Sequence, residues 1–124
     1  MTGKLRDVSG FDAKDIRRGM PRFQAENFAA NRELLYGFSA LAEEGGCTPA
    51  QLALAWLLAK SANIVPIPGT TSVEHLAENV GAASVTLAPA MLDKLDAAIN
   101  RHTVTGPRYN AATQAEIDTE DFAA

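Results

Sequence analysis

With a single cysteine, Cys47, among 124 residues, the chain cannot close a disulfide within itself. It also lacks an apolar run approaching the roughly 18 residues that a membrane-spanning helix requires. No charged-then-apolar segment resembling a signal peptide opens it. Positive charge is scarce: 11 basic against 15 acidic residues leave a net charge of -4, with no basic stripe to track nucleic-acid phosphates. These absences argue against nucleic acid or a membrane as partner and make a cytoplasmic chain the expectation. No internal repeat, metal-spaced His/Cys cluster, Ser-His-Asp set or paired-carboxylate arrangement stands out. What is present is a globular composition, 47% hydrophobic and 21% charged, able to bury a core.

Residues 1 to 24 carry isolated apolar positions without helical or strand period and read as a long surface loop. From Glu26 to Glu44, Phe28, Leu34, Leu35, Phe38, Leu41 and Ala42 recur at helical spacing, and Gly45-Gly46 supplies a stop. Thr48-Pro49-Ala50-Gln51 combines a capping hydroxyl, a first-turn proline and a glutamine that can reach back, so a second helix is expected from Pro49 to about Lys60. Its Leu-Ala-Leu-Ala-Trp-Leu-Leu-Ala run is apolar nearly all round and expects burial on more than one side. Ile64 to Ile67 reads as a short buried strand, although Pro66 removes one ladder donor. Ser72 then caps a helix through about Val80, and Pro89 opens a last helix with Leu92, Leu95 and Ile99 on one face. The tail from Thr103 to Ala124 is small, polar and acidic, and reads as loosely ordered.

The most informative stretch is Ile64-Val65-Pro66-Ile67-Pro68-Gly69-Thr70-Thr71-Ser72, where an apolar strand stops at a polar turn that starts a helix. Unpaired backbone N–H groups and the positive end of the helix dipole attract an anion at such a start. Residues 69 to 72 are therefore the leading candidate for a phosphate-binding turn. An ordinary helix cap is the plainer reading of the same residues.

The Ile-Pro-Gly-Thr segment followed by Glu74-His75-Leu76-Ala77-Glu78-Asn79, and preceded by Cys47-Thr48-Pro49-Ala50-Gln51-Leu52-Ala53-Leu54-Ala55-Trp56, resembles the aldo-keto reductases. Thr2-Gly3-Lys4 is similar to the end of that family's Gly-Phe-Leu-Thr-Gly-Lys stretch. Pro21-Arg22-Phe23-Gln24-Ala25-Glu26-Asn27-Phe28 matches a segment common in its bacterial branch. The four pieces stand in the family's order and cover nearly the whole chain. The resemblance implies an α/β ancestry: the C-terminal segment of a (β/α)8 TIM barrel, mostly helical here with one short strand at about 64–67. Such a barrel needs roughly 200 to 250 residues to close, so residues 1–124 are expected to be a partial domain.

The resemblance also implies a site. Ile67, Pro68, Gly69, Thr70, Thr71 and Ser72 would meet the adenosine phosphate end of a nicotinamide dinucleotide, with Gly69 allowing close backbone approach. His75 would stand where a longer basic or amide side chain often reaches the 2′-phosphate, and Glu78 and Asn79 would hydrogen-bond the adenine and ribose. Many relatives place Lys or Arg in this turn, whereas the one side chain there able to carry positive charge is His75. Lys4 and Arg22 are the candidates to supply that charge, although either could be a solvated surface group. NADPH is the expected cofactor, with NADH not excluded.

The family's catalytic Asp, Tyr, Lys and His would all lie upstream of Thr2. No catalytic residue is therefore assigned, and the isolated chain is not expected to transfer hydride. Tyr36 reads as a half-buried packing residue and Cys47 as a structural thiol, while His102 and Tyr109 fall in or near the tail. Two rivals remain: a nucleotide-binding or regulatory module presenting its Trp56 face to a complementary barrel half, and a truncated reading frame with no independent function. Apolar surface without cover leads to an expectation of self-association or poor solubility.

Overall fold

The computed structural model describes Leu5 and residues 7–117. Among the described residues five α-helices carry the fold: α1 (Ala25–Glu44), α2 (Pro49–Lys60), α3 (Val73–Gly81), α4 (Pro89–Ala98) and the single turn α5 (Ala111–Gln114). Short 3-10 turns at Ile16–Gly19, Pro21–Phe23 and Ala82–Ser84 link them. Among the described residues no helix is long and apolar enough to cross a membrane.

The helix boundaries follow from local chemistry. Helix α1 ends because Gly46 takes a φ of 65°, the left-handed region that glycine enters without a Cβ clash. The Gly46 N–H then donates to the Glu43 carbonyl at 3.1 Å and the Cys47 N–H to the Ala42 carbonyl at 3.0 Å, which satisfies two carbonyls of the last turn. Helix α2 starts with the expected reciprocal cap. Thr48 Oγ1 accepts from the Gln51 N–H at 3.2 Å, and Gln51 Oε1 accepts from the Thr48 N–H at 3.1 Å.

The core sits where α1, α2 and α4 meet. Phe38 and Ala42 from α1, Leu52 from α2, and Met91 and Leu95 from α4 form one buried cluster, with Leu41, Leu87 and Ile99 packed around it. The periodic positions of α1 therefore divide, the C-terminal half facing this core and Phe28 joining a second group. In that group Phe11 meets Phe23 edge-on at 5.7 Å and Phe23 stacks on Phe28 at 6.2 Å. Helices α2 and α3 approach closely, because a Cβ on Gly81 would lie 2.7 Å from Gln51 Nε2.

Four expectations need correction. Residues 64–67 form no strand: among the described residues no neighbour pairs with them, and the Ile64 N–H closes a turn on the Ser61 carbonyl at 3.1 Å. A strand exists by its ladder, and Pro66 and Pro68 each remove a donor from a segment that has no partner. Val65 is 80% and Ile67 95% exposed, so the burial expected there is absent as well. Tyr36 is exposed, with its hydroxyl accepting from Arg32 NH2 at 3.2 Å, because it lies off the stripe of α1 that carries Phe38 and Ala42. Trp56 is half-buried against Phe38 at 6.4 Å, and the large apolar residues that α2 exposes are Leu57 and Leu58.

The N-terminal segment 7–24 is more organised than a plain loop. Asp12 accepts from the Lys14 N–H at 2.9 Å and Asp15 from the Arg17 N–H at 3.0 Å, so each carboxylate closes its own turn. Helix α5 starts in the same way, with Asn110 Oδ1 accepting from the Thr113 N–H at 2.9 Å.

Candidate functional site

The turn 67–72 leads into α3 through Ser72, whose Oγ accepts from the His75 N–H at 3.3 Å. Thr70 folds back over the same residue: its Oγ1 accepts from the Ser72 N–H at 3.1 Å. Two donors that an anion could have used, the Ser72 and His75 N–H groups, are thus occupied by side chains of the turn itself. Among the described residues none accepts from the N–H of Val73 or Glu74, the other two amides of the first helical turn. These amides and the helix dipole favour an anion at the start of α3, and the Glu74 carboxylate of the same turn opposes one.

Ile67, Pro68, Gly69, Thr70 and Thr71 are all exposed, and Ser72 is half-buried. A helix repeats every 3.6 residues, so His75 shares one flank of α3 with Glu78 three residues on and Asn79 four residues on. All three are half-buried. Backbone donors at the helix start and polar side chains along one flank suit an elongated ligand with an anionic end. No Lys or Arg lies between Ile67 and Asn79, so any second positive charge must come from elsewhere.

Arg22 does not supply it in this arrangement. Its Nε donates to the Gly106 carbonyl at 3.1 Å, and its side chain lines a cleft to which no residue of 67–79 contributes. Lys4 lies outside the described residues. The turn and the His75, Glu78 and Asn79 flank thus follow one another directly along the chain, and Arg22 lines a cleft that neither joins.

Other groups with chemical potential are engaged structurally. Burial pushes the Cys47 thiol up from its ordinary value, which leaves less of the reactive thiolate. His102 Nε2 accepts from Arg101 Nε at 3.1 Å, and Arg108 lies over the Tyr109 ring at 5.1 Å. Among the described residues no three His, Cys, Asp or Glu side chains gather closely enough to hold a metal ion. The sequence reading overlooked one cluster, the guanidinium of Arg17 pinned between Asp15 and Phe11. Arg17 NH2 meets Asp15 Oδ2 at 2.6 Å and the guanidinium stands 4.3 Å from the Phe11 ring centre, holding the Asp15 carboxyl down to about 2. The Asp-x-Arg spacing was its only signal.

Residues 2–100 match the model of the Aldo/keto reductase family. The chain is also similar to the NADP(+) aldo-keto reductase yakc of Schizosaccharomyces pombe, 40% identical over 117 residues that make up 94% of this chain and 34% of that protein. It thus spans about a third of that relative's length. With a family match over most of its length and a relative this similar across nearly all of it, the chain belongs to the aldo/keto reductase family.

Proposed function

We propose that this chain is the cofactor-phosphate end of an NADPH-dependent aldo-keto reductase, an oxidoreductase that moves hydride between the cofactor and a carbonyl or alcohol. The observation that carries the reading is the start of α3, where two amides without an acceptor among the described residues face an exposed Gly-Thr-Thr turn beside His75, Glu78 and Asn79. The fit is partial, since Thr70 and Ser72 spend part of their hydrogen-bonding capacity on each other. When bound, the reduced nicotinamide supplies the hydride. The residues of this chain hold the other end: the backbone of 69–74 meets phosphate oxygens, and Glu78 and Asn79 meet the adenine and ribose. Such contacts give affinity and orientation, while the barrier to hydride transfer is lowered by groups at the carbonyl. No residue here is assigned that part.

Family membership places the ancestry of the fold in (β/α)8 barrels, and the exposed apolar segment is read accordingly. Val65, Ile67, Val73 and Val80 are each more than half exposed in this chain. In the proposed reading they are covered by further barrel strands, supplied by a complementary barrel half.

Calorimetric titration of the chain with NADPH and NADH tests the proposal, with a Glu78→Ala, Asn79→Ala double variant as control and circular dichroism to check its fold. Tighter binding of NADPH that is lost in the folded double variant supports the assignment. Equal, unaltered binding by the variant refutes the roles given to Glu78 and Asn79. No heat with either cofactor refutes a clamp that works within these residues alone.

A further inference from the structure

A surface helix ordinarily turns its apolar stripe to the core and its polar side to solvent. Helix α3 does the reverse. His75, Glu78 and Asn79 are half-buried and Ala82, just past the helix end, is 2% exposed. These positions lie on the less exposed side of α3, which packs against α2 and the Ala82–Ser84 turn. On the other side Val73 is 84%, Leu76 54% and Val80 66% exposed, with Ala77 exposed between them. Residues at i, i+3, i+4 and i+7 share one helix face, so these four make an apolar stripe along the outside of the helix.

The order of residues in the stripe narrows what can cover it. From either end it runs valine, then leucine and alanine side by side, then valine: Val73, Leu76, Ala77, Val80. A two-fold axis lays a surface onto itself, so that residue i meets j and j meets i. With the axis between Leu76 and Ala77 and the helices antiparallel, Val73 meets Val80 of the partner subunit and each leucine meets an alanine. Large faces small at the closest approach, and no charge enters the stripe. The area agrees. Eight of the ten large hydrophobic side chains exposed among the described residues fall between Leu57 and Val80, with Val65 at 80% and Ile67 at 95% among them. At roughly 100 Å² of apolar surface for each such side chain when fully exposed, they leave on the order of 500 Å² uncovered. A standard interface of about 800 Å² per partner, about 60% of it apolar, covers the same amount.

We propose that α3 is the centre of a two-fold interface between two copies of this chain, packed antiparallel through Val73, Leu76, Ala77 and Val80. The segment before it, with Val65 and Ile67, extends the covered area. The proposal does not rest on the reductase reading, since it needs no cofactor and gives His75, Glu78 and Asn79 no part. A complementary barrel half laid over Val73 and Val80 would take the place of the second copy, so the two occupants exclude each other at this stripe.

The test is sedimentation equilibrium of the 124-residue chain across the micromolar range, with circular dichroism confirming that each variant is folded. A monomer–dimer equilibrium with a micromolar dissociation constant is expected. Leu76→Ala leaves a gap and Ala77→Leu sets leucine against leucine. Each should weaken the dimer about tenfold or more, because the two-fold axis doubles every change. The exchanged variant Leu76→Ala, Ala77→Leu again places a large residue opposite a small one and should return to within about threefold of wild type. In a Cys47→Ser background, a mixture of Val73→Cys and Val80→Cys chains should cross-link under mild oxidation. Either alone should not, since like positions stand roughly 10 Å apart along the pair. A monomer at every concentration gives the stripe to another partner and overturns the proposal. So do aggregates larger than a dimer that Ala77→Leu strengthens, and an exchanged variant no tighter than the single ones. A dimer indifferent to the α3 variants but lost in Val65→Lys, Ile67→Lys puts the contact on the extended segment and equally overturns it. Failure of NADPH to bind leaves the dimer result standing.

Discussion

Asn31 grips the backbone of Thr105 from both sides: Nδ2 donates to the Thr105 carbonyl and Oδ1 accepts from the Thr105 N–H, each at 2.8 Å. Next to it, Arg22 holds the Gly106 carbonyl, and Asn27 Nδ2 donates to the Pro21 carbonyl at 2.9 Å. The Pro21-to-Phe28 segment that marks the family resemblance thus ties the start of the chain to the segment after α4. Its polar residues Arg22 and Asn27 act here on backbone carbonyls.

Removing that grip should loosen the far segment and leave the core intact. Asn31→Ala is expected to speed hydrogen exchange at the Thr105 amide by roughly 5- to 30-fold, as two hydrogen bonds worth about 1 kcal/mol each disappear. Amides near Leu52 and Leu95 should keep their protection. Unchanged exchange at Thr105 would show that the segment is held by its apolar contacts instead.

Gly106 offers a sharper test of the same junction. Its φ is 83°, and a Cβ there would lie 2.6 Å from Asn27 Nδ2. Gly106→Ala should destabilise the chain by about 1–3 kcal/mol through backbone strain and the clash together. Adding Asn27→Ala should recover only the steric part, so the double variant should melt between Gly106→Ala and wild type.

The core can be probed with one substitution. Leu52 is fully buried between α1 and α4, and Leu52→Ala should cost about 2–5 kcal/mol by leaving a cavity that its neighbours only partly fill. Chemical denaturation reads this as a lower midpoint with an unchanged slope. A loss below about 1 kcal/mol would mean that the helices can close around the gap.

Much of this architecture was legible in the sequence, and what was not has a physical reason. The α2 cap, the Ser72 cap and the stop at Gly46 are local, because each is settled by residues within five positions of one another. The strand expected at 64–67 failed because pairing is non-local, and β-branched side chains cannot supply a neighbour. The Phe11, Arg17 and Phe23 cluster and the Asn31 grip were invisible for a related reason: neither leaves a period, and the grip joins residues 74 apart. At the candidate site, the turn stood out as a helix start, and His75, Glu78 and Asn79 were named by the family resemblance. The remoteness of Arg22 could not, since it depends on where the segment after α4 returns.

Cys47 should be a slow thiol. A helix start such as that of α2 beside it favours a thiolate, yet burial raises its pKa, in keeping with a structural thiol. Reaction with a disulfide reagent at neutral pH should be slower than that of a free cysteine peptide and should accelerate on unfolding in urea. A folded-state rate at or above the peptide's would show that the helix start dominates.

Asp96 provides a pH-dependent signal with a built-in reporter. Its Oδ1 accepts from Lys60 Nζ and from Trp56 Nε1, the latter at 2.8 Å, and these two bonds hold its carboxyl below the ordinary aspartate value, the Lys60 bond contributing most. A depressed folded-state pKa means that the contribution to stability is fully present above the unfolded value of about 3.9 and is lost as pH falls through the lower folded value. Trp56 is the single tryptophan, so its fluorescence should change in that acid window without a change in helix content. In Asp96→Asn the amide oxygen can still accept from Trp56 but no longer titrates, and the fluorescence step should vanish while the fold persists. A step that survives in Asp96→Asn would assign the signal to another carboxylate, and the Trp56–Asp96–Lys60 contact would then be absent in solution.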